Sequence, residues 1–202
     1  MKRIFSAGRG LAFIVFMTVF LFTGCGQSSE PKSEVKNPTL HDAAVKMVAD
    51  MSLEEKIGQM DMVAIWDKEK ILEQGKFDYG AWIGEARPEE INKIQEYSEK
   101  TRLKIPYLIG VDAAHGYGVL PGKTVFPTAI SMAATFNRNL VRDIYAASAQ
   151  EIRSTGNQWT FAPCIDIVQD ARWGRTGETY GEDPYLASEL VKNAIHGLQG
   201  NK

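Results

Sequence analysis

The sequence predicts an α/β domain built on a parallel sheet. Two nearly continuous apolar runs, Ile105–Asp112 and Trp159–Asp166, are typical of strands that are covered on both faces. Segments with apolar residues at helical spacing lie before, between and after these runs. Strands that alternate with amphipathic helices in this way indicate a parallel sheet.

Helix start signals divide residues 39–202, and each is followed by apolar residues at helical spacing. They are capping boxes at Thr39–Asp42 and Ser52–Glu55, a first-turn proline at Pro88, and capping side chains at Asn137 and Asp183. Two short apolar segments, Met62–Trp66 and Ala81–Gly84, predict further strands ahead of the run that begins at Ile105. Strands and helices therefore follow one another along the whole segment.

The first 24 residues are typical of an export signal. A basic start precedes the apolar run Leu11–Phe22, which is shorter than the roughly 20 residues that a membrane-spanning helix needs. Small residues and then Cys25 follow, an order that resembles a bacterial lipobox. We expect residues 1–24 to be a lipoprotein signal peptide and Cys25 to carry the lipid that anchors an exported chain. An ordinary cleaved signal is the alternative.

Residues 25–38 are polar and predict a flexible tether. Without residues 1–24 the chain keeps 20 basic and 25 acidic residues, a net charge of −5. Nucleic-acid-binding domains carry a basic surface, so we exclude that class of partner. Lipidation of Cys25 would leave Cys164 as the only other cysteine, and we therefore expect no disulfide within the chain.

Polar residues follow both long apolar runs. Asp112 ends one run and is followed by His115, and Asp166 ends the other and leads into a charged, glycine-rich loop. Sites in α/β proteins lie beyond the carboxyl ends of the strands. Two such segments in successive units predict one functional site.

The loop between Ala171 and Leu186 combines charges of both signs with aromatic rings. A sugar suits such surroundings, because it offers hydroxyls at its edge and C–H groups on its faces. An ionised Asp112 can accept hydrogen bonds from two neighbouring hydroxyls, and Arg175 can donate to the same ring. Charge-assisted hydrogen bonds of this kind are about twice as strong as neutral ones.

Structural roles are the alternatives for these residues. Asp112 could cap the turn that follows it, and Arg172 could pair with Glu178 or Glu182 to stiffen the loop. We interpret Glu178, Glu182 and Asp183 mainly as loop scaffolding or helix cap. His115 is interpreted as a loop-fixing hydrogen-bonding residue.

Phosphate and metal sites are excluded by spacing. Pro121 stands where a dinucleotide fingerprint that starts at Gly116 and Gly118 needs a small residue opening a helix. The three histidines, His41, His115 and His196, lie too far apart in sequence to show the spacing of a metal site. We expect no metal and no cofactor.

Four segments together resemble the N-terminal domain of glycoside hydrolase family 3. They are Gly110–Gly116, Thr124–Thr128, Phe161–Asp166 and, the most specific, Arg172–Pro184. The resemblance runs from about Met51 to Gly200 in a constant motif order. The Arg-Trp-Gly-Arg block that starts at Arg172 favours the β-glucosidase/β-xylosidase branch over the N-acetylglucosaminidase branch.

The resemblance implies a (β/α)8 (TIM-type) barrel that cleaves β-linked glucosides with retention. It also implies that Asp112 and Arg175 hold the non-reducing-end sugar, with His115, Arg172 and Glu178 as further candidates in the same loops. Residues 39–202 number 164, against about 250 for a closed barrel, so we expect the first half of a barrel, incomplete in this chain. The family's nucleophile and acid/base lie further along, so we assign no catalytic residue here.

Three hypotheses follow for the function. The first is the N-terminal part of a surface-anchored retaining β-glucosidase that removes terminal β-linked glucose and is inactive as a fragment. The second, from another class, is a non-catalytic carbohydrate-binding lipoprotein. The third is a half-barrel that pairs with a separately encoded second half.

Overall fold

The computed structural model describes residues 38–64, 79–85 and 87–200. The predicted signal peptide 1–24, the lipidation site Cys25 and the predicted tether up to residue 37 lie outside these residues. The chain divides into two compact units, residues 1–47 and 48–202. Helix α1 (Pro38–Asp50) spans the division, and within the described residues no helix is both long and apolar enough to cross a bilayer.

The second unit alternates strands and helices along the chain. Its elements are α2 (Leu53–Gln59), β1 (Met62–Ala64), β2 (Ala81–Ile83), α3 (Pro88–Ser98), β3 (Leu108–Val111), α4 (Ala129–Ala133), α5 (Arg138–Ser154), β4 (Trp159–Thr160), a 3-10 turn (Thr176–Glu178) and α6 (Pro184–Gln199). The alternation predicted from the sequence is confirmed.

The four strands form one parallel sheet whose order is the chain order, β1-β2-β3-β4. In the register, Ala81 lies opposite Met62 on one side and Leu108 on the other, and Gly110 lies opposite Trp159. A doubly wound sheet reverses its strand order at a switch point, whereas a barrel adds strands in sequence. The observed order is that of a barrel.

Two strands are shorter than predicted. β3 begins at Leu108 rather than Ile105, and β4 covers two residues instead of the whole run to Asp166. Pro106 and Pro163 interrupt these runs, and proline lacks the backbone N–H that a sheet ladder needs. Apolar composition alone therefore overestimated both strands.

Most of the predicted helix caps are present. Ser52 and Glu55 form a capping box, with the Glu55 N–H 3.2 Å from Ser52 Oγ and the Ser52 N–H 2.8 Å from Glu55 Oε2. Asn137 and Asp183 cap α5 and α6 through their side chains. The prediction at Thr39 was wrong, because α1 begins one residue earlier and contains Thr39. A proline in the first helical turn explains the earlier start.

The largest apolar cluster joins α4, α5 and α6. Tyr145, Leu190 and Ala194 lie at its centre and are at most 1 % exposed. A second cluster around Trp82 and Ile109 packs α3 against the sheet. The first cluster fixes the start of α6, and with it the loop that precedes this helix.

Candidate functional site

Asp112 lies at the carboxyl edge of the sheet, directly after β3. Its exposed side chain lines an open cavity of about 480 Å³, here called the rim cavity. The other lining residues are Ala114, His115, Gly116, Gly118, Val119, Val125 and Glu178. Segments that follow β3 and β4 therefore meet at one edge, as expected for successive parallel strands.

The segment after Asp112 folds back on itself as a tight loop. The Phe126 N–H donates to the His115 carbonyl and the Tyr117 N–H donates to the Thr124 carbonyl, both at 2.8 Å. Gly116 has a φ of +102°, and a Cβ there would lie 2.4 Å from the Thr124 oxygen. Only glycine fits this position. The loop thereby fixes the place of His115 in the rim cavity.

The orientation of the His115 ring follows from one hydrogen bond. Its Nδ1 lies 2.7 Å from the carbonyl oxygen of Phe126. A carbonyl only accepts, so Nδ1 carries a proton and the neutral ring keeps Nε2 as an acceptor. His115 thus braces the loop, as considered from the sequence, and also lines the cavity.

Arg175 and Glu178 form an ion pair across the 3-10 turn. Arg175 Nε and Nη2 both donate to Glu178 Oε2, at 3.1 and 2.6 Å. This bond and the positive charge of Arg175 lower the pKa of Glu178, and Glu178 raises the pKa of Arg175. The pair stays charged at neutral pH. It holds the guanidinium of Arg175 against Glu178, which lines the rim cavity.

Arg172 pairs with an acid other than the two that were considered as structural alternatives. Its Nε and its backbone N–H donate to Asp170 Oδ1 at 3.0 and 2.9 Å, whereas that alternative named Glu178 or Glu182. A carboxylate two residues away can accept the side chain and the backbone of Arg172 together, which favours the local partner. The Arg172 side chain is 90 % exposed and is not among the residues that line the rim cavity.

Cys164 contacts Arg175, a contact that the sequence does not predict. Arg175 Nη2 lies 3.6 Å from Cys164 Sγ, which lies 3.7 Å from Asp166 Oδ2. Burial raises the pKa of the Cys164 thiol, which therefore stays protonated at neutral pH. The partners Cys164 and Arg175 are 11 residues apart, and nothing in the sequence spacing signals their contact.

Two buried tyrosines connect the two halves of the site, which are the segment after β3 and the loop after β4. The Tyr180 hydroxyl donates to the Tyr145 hydroxyl at 3.2 Å, and Tyr145 donates to the carbonyl of Ala114 at 3.1 Å. Tyr180 is one of the aromatic residues of the loop between Ala171 and Leu186, but it is only 2 % exposed and belongs to the core. Its role is to tie the loop after β4 to the segment that carries Asp112.

The chemistry available at the rim cavity is hydrogen bonding to a polar ligand. The carboxylates of Asp112 and Glu178 and the Nε2 of His115 offer acceptors around one opening. The guanidinium of Arg175 is not among the lining groups, but it offers donors from its place on Glu178. Val119 and Val125 add apolar walls. In the part of the chain that the structure describes, no three His, Cys, Asp or Glu side chains are arranged to hold a metal ion.

A known family matches most of this chain. The model described as "Glycosyl hydrolase family 3 N terminal domain" matches residues 52–202. The chain belongs to glycoside hydrolase family 3. This confirms the resemblance seen in the motifs between Gly110 and Pro184.

Individual family 3 proteins agree in sequence and in fold. A periplasmic β-glucosidase of Salmonella typhimurium is 34 % identical over 81 % of this chain, and a putative β-xylosidase of Formosa agariphila is 30 % identical over 90 %. The crystal structure of a β-glucosidase from Listeria innocua in complex with glucose superposes with a TM-score of 0.71 at 34 % identity, over 79 % of this chain.

The family 3 chain described here matches only part of these proteins. It spans 21 % of the Salmonella protein, 27 % of the Formosa protein and 24 % of the Listeria chain. Together with the sheet order β1-β2-β3-β4, these likenesses identify the fold as the first half of a (β/α)8 barrel.

Proposed function

We propose that this chain supplies the sugar-binding part of a retaining β-glucosidase that removes terminal β-linked glucose from oligosaccharides or glycosides. Asp112 accepts hydrogen bonds from two neighbouring hydroxyls of the terminal glucose, and Arg175 donates to the same ring. The observation that carries the proposal is the rim cavity, which Asp112 and Glu178 line together while Arg175 is bound to Glu178.

The relatives support this choice of substrate class. The Salmonella relative is named a β-glucosidase and the Listeria enzyme was crystallised with glucose. The Formosa relative is named a putative β-xylosidase. Xylose differs from glucose only in lacking the hydroxymethyl group at C5, so a grip on the ring hydroxyls accommodates both sugars. Glucose and xylose derivatives therefore belong in the same binding experiment.

The rim cavity favours binding over turnover. Retaining hydrolysis needs two carboxyl groups about 5–5.5 Å apart, one of which donates a proton. Arg175 lowers the pKa of Glu178, so this carboxylate is ionised and is a poor acid, and Asp112 is engaged by the sugar. We expect no hydrolysis of 4-nitrophenyl β-D-glucoside by this chain. Binding without turnover also fits a non-catalytic carbohydrate-binding lipoprotein.

Replacing Asp112 by asparagine tests the proposal. The amide keeps the shape of the side chain but loses the charge and one acceptor, so affinity for methyl β-D-glucopyranoside should fall about tenfold or more. NMR titration measures the dissociation constants, with methyl β-D-xylopyranoside as the second ligand. Asp170→Asn is the matched control, because Asp170 holds Arg172 and does not line the rim cavity. Equal affinities of the wild type and Asp112→Asn would contradict the proposal.

Export and lipid anchoring complete the proposed function. The basic start, the short apolar run and Cys25 support a lipoprotein, and the Salmonella relative is named periplasmic. Replacing Cys25 by alanine should move the chain expressed in a bacterium from the membrane fraction to the soluble fraction. Cys164→Ser should remain with the membranes. Immunoblots of the two fractions measure this, and equal distribution of wild type and Cys25→Ala would argue against the anchor.

A further inference from the structure

Glu178 connects Arg175 to the rim cavity. The Arg175 side chain is 58 % exposed and is not itself among the lining residues, whereas Glu178 lines the cavity. Both of the Arg175 donors that reach Glu178 bind the same oxygen, Oε2. Within the described part of the chain, no other lining residue is hydrogen-bonded to Arg175.

We propose that Glu178 is a positioning residue for sugar binding, which holds the Arg175 guanidinium beside the ring that Asp112 grips. This role rests on the proposed function. An arginine that is more than half exposed samples many conformations in water, and ordering it on binding costs free energy. Glu178 orders the guanidinium before the sugar arrives, so the loss of side-chain entropy does not weaken binding.

The local backbone makes this arrangement stable. The turn between Arg175 and Glu178 is closed by the Glu178 N–H, which donates to the Arg175 carbonyl at 3.0 Å. The Thr176 hydroxyl donates to the Trp173 carbonyl at 2.7 Å. The Thr179 hydroxyl donates to the Thr176 carbonyl at 3.0 Å. These bonds do not involve the carboxylate, so the turn keeps its shape when Glu178 is replaced.

The structural alternative is that the ion pair of Arg175 and Glu178 stabilises the fold, and the exposure of both side chains argues against it. The side chains of Arg175 and Glu178 are 58 % and 40 % exposed, and ion pairs in such positions contribute little to folding. Removing the carboxylate should therefore change sugar affinity much more than thermal stability. Asp170 and Arg172 form a similar exposed pair in the same loop, away from the rim cavity, and provide the matched comparison.

A double-mutant cycle on the whole chain tests the positioning role. The proteins are the wild type, Arg175→Ala, Glu178→Gln, the double variant, and the controls Asp112→Asn and Asp170→Asn. We expect Glu178→Gln to weaken binding of methyl β-D-glucopyranoside about fivefold, and to have no further effect when Arg175 is already alanine. Melting temperatures of Glu178→Gln and Asp170→Asn should stay near that of the wild type, and Asp170→Asn should bind normally.

The outcomes separate this inference from the proposed function. The positioning role alone is overturned if Glu178→Gln binds the glucoside as tightly as the wild type does. It is also overturned if Glu178→Gln loses the same affinity with and without Arg175. In both cases Asp112→Asn must still lose binding. A large drop in the melting temperature of Glu178→Gln would show that the Glu178 carboxylate stabilises the fold, and would also overturn the positioning role. A wild type that does not bind the glucoside overturns both proposals.

Discussion

Replacing Gly197 by valine is expected to lower the free energy of unfolding by about 3 kcal/mol. Gly197 lies in α6 where that helix crosses α5, and a Cβ at this position would lie 2.3 Å from the backbone oxygen of Arg142 and 3.0 Å from the backbone N of Ala146. Backbone atoms inside a helix cannot rotate away as a flexible side chain can. The two helices must therefore separate, which opens the largest apolar cluster of the fold.

Urea unfolding followed by circular dichroism measures this effect. The matched control is Gly174→Ala, because a Cβ on Gly174 meets no atom within 4 Å and the change should stay within about 0.5 kcal/mol. Gly197→Val should also weaken sugar binding, since the start of α6 fixes the loop that carries Arg175 and Glu178. A Gly197→Val protein with the urea midpoint of the wild type would show that α5 and α6 are not in close contact in solution.

Sequence patterns predicted the fold well because its determinants are local. Capping side chains at Ser52, Asn137 and Asp183 mark helix starts through bonds to residues two or three positions away. The carboxyl edge was predicted for a similar reason, since a polar residue directly after an apolar run marks the end of a buried strand. Asp112 follows this rule and lies at the rim cavity.

Strand ends and ion-pair partners were predicted less well. The strand starting at Trp159 was overestimated because hydrophobicity says nothing about whether backbone donors are available to a ladder. The structural alternative for Arg172 named the wrong acids because several acids lie near it in the sequence, and only the turn geometry selects Asp170. Choices of this kind depend on backbone dihedral angles that composition does not encode.

Individual side-chain contacts between distant segments could not be predicted, although the meeting of the segments after β3 and β4 could. Tyr145 and Tyr180 are 35 positions apart; Tyr145 lies in α5 and Tyr180 in the loop before α6. Their hydroxyls meet only because α5 packs against the end of the loop between Ala171 and Leu186. The same holds for Cys164 and Arg175, which meet because the segment after β4 and the loop share one edge of the sheet.

Raising the pH above about 10 is expected to destabilise the fold, because burial raises the pKa of three tyrosines. Tyr117, Tyr145 and Tyr180 are at most 2 % exposed, and burial raises the pKa of each phenol. Tyrosines of the unfolded chain lose their protons near pH 10, while the folded chain keeps them. The unfolded state then binds fewer protons, so the free energy of unfolding falls with pH. The stability from these groups is fully present below pH 10.

The limiting slope is about 1.4 kcal/mol per pH unit for each phenol that stays protonated in the folded chain, and Tyr180, whose pKa lies well above its usual range, is expected to reach it. Urea unfolding at intervals between pH 8 and pH 11.5 measures it. Tyr180→Phe should make the slope of the unfolding free energy against pH shallower by the contribution of Tyr180. In this variant Tyr145 still donates to the Ala114 carbonyl. Tyr185→Phe is the control, because the Tyr185 side chain is 70 % exposed. Tyr180 and Tyr185 variants with the same slope would mean that water reaches Tyr180 in the folded chain, and that the link between the two halves of the site is open.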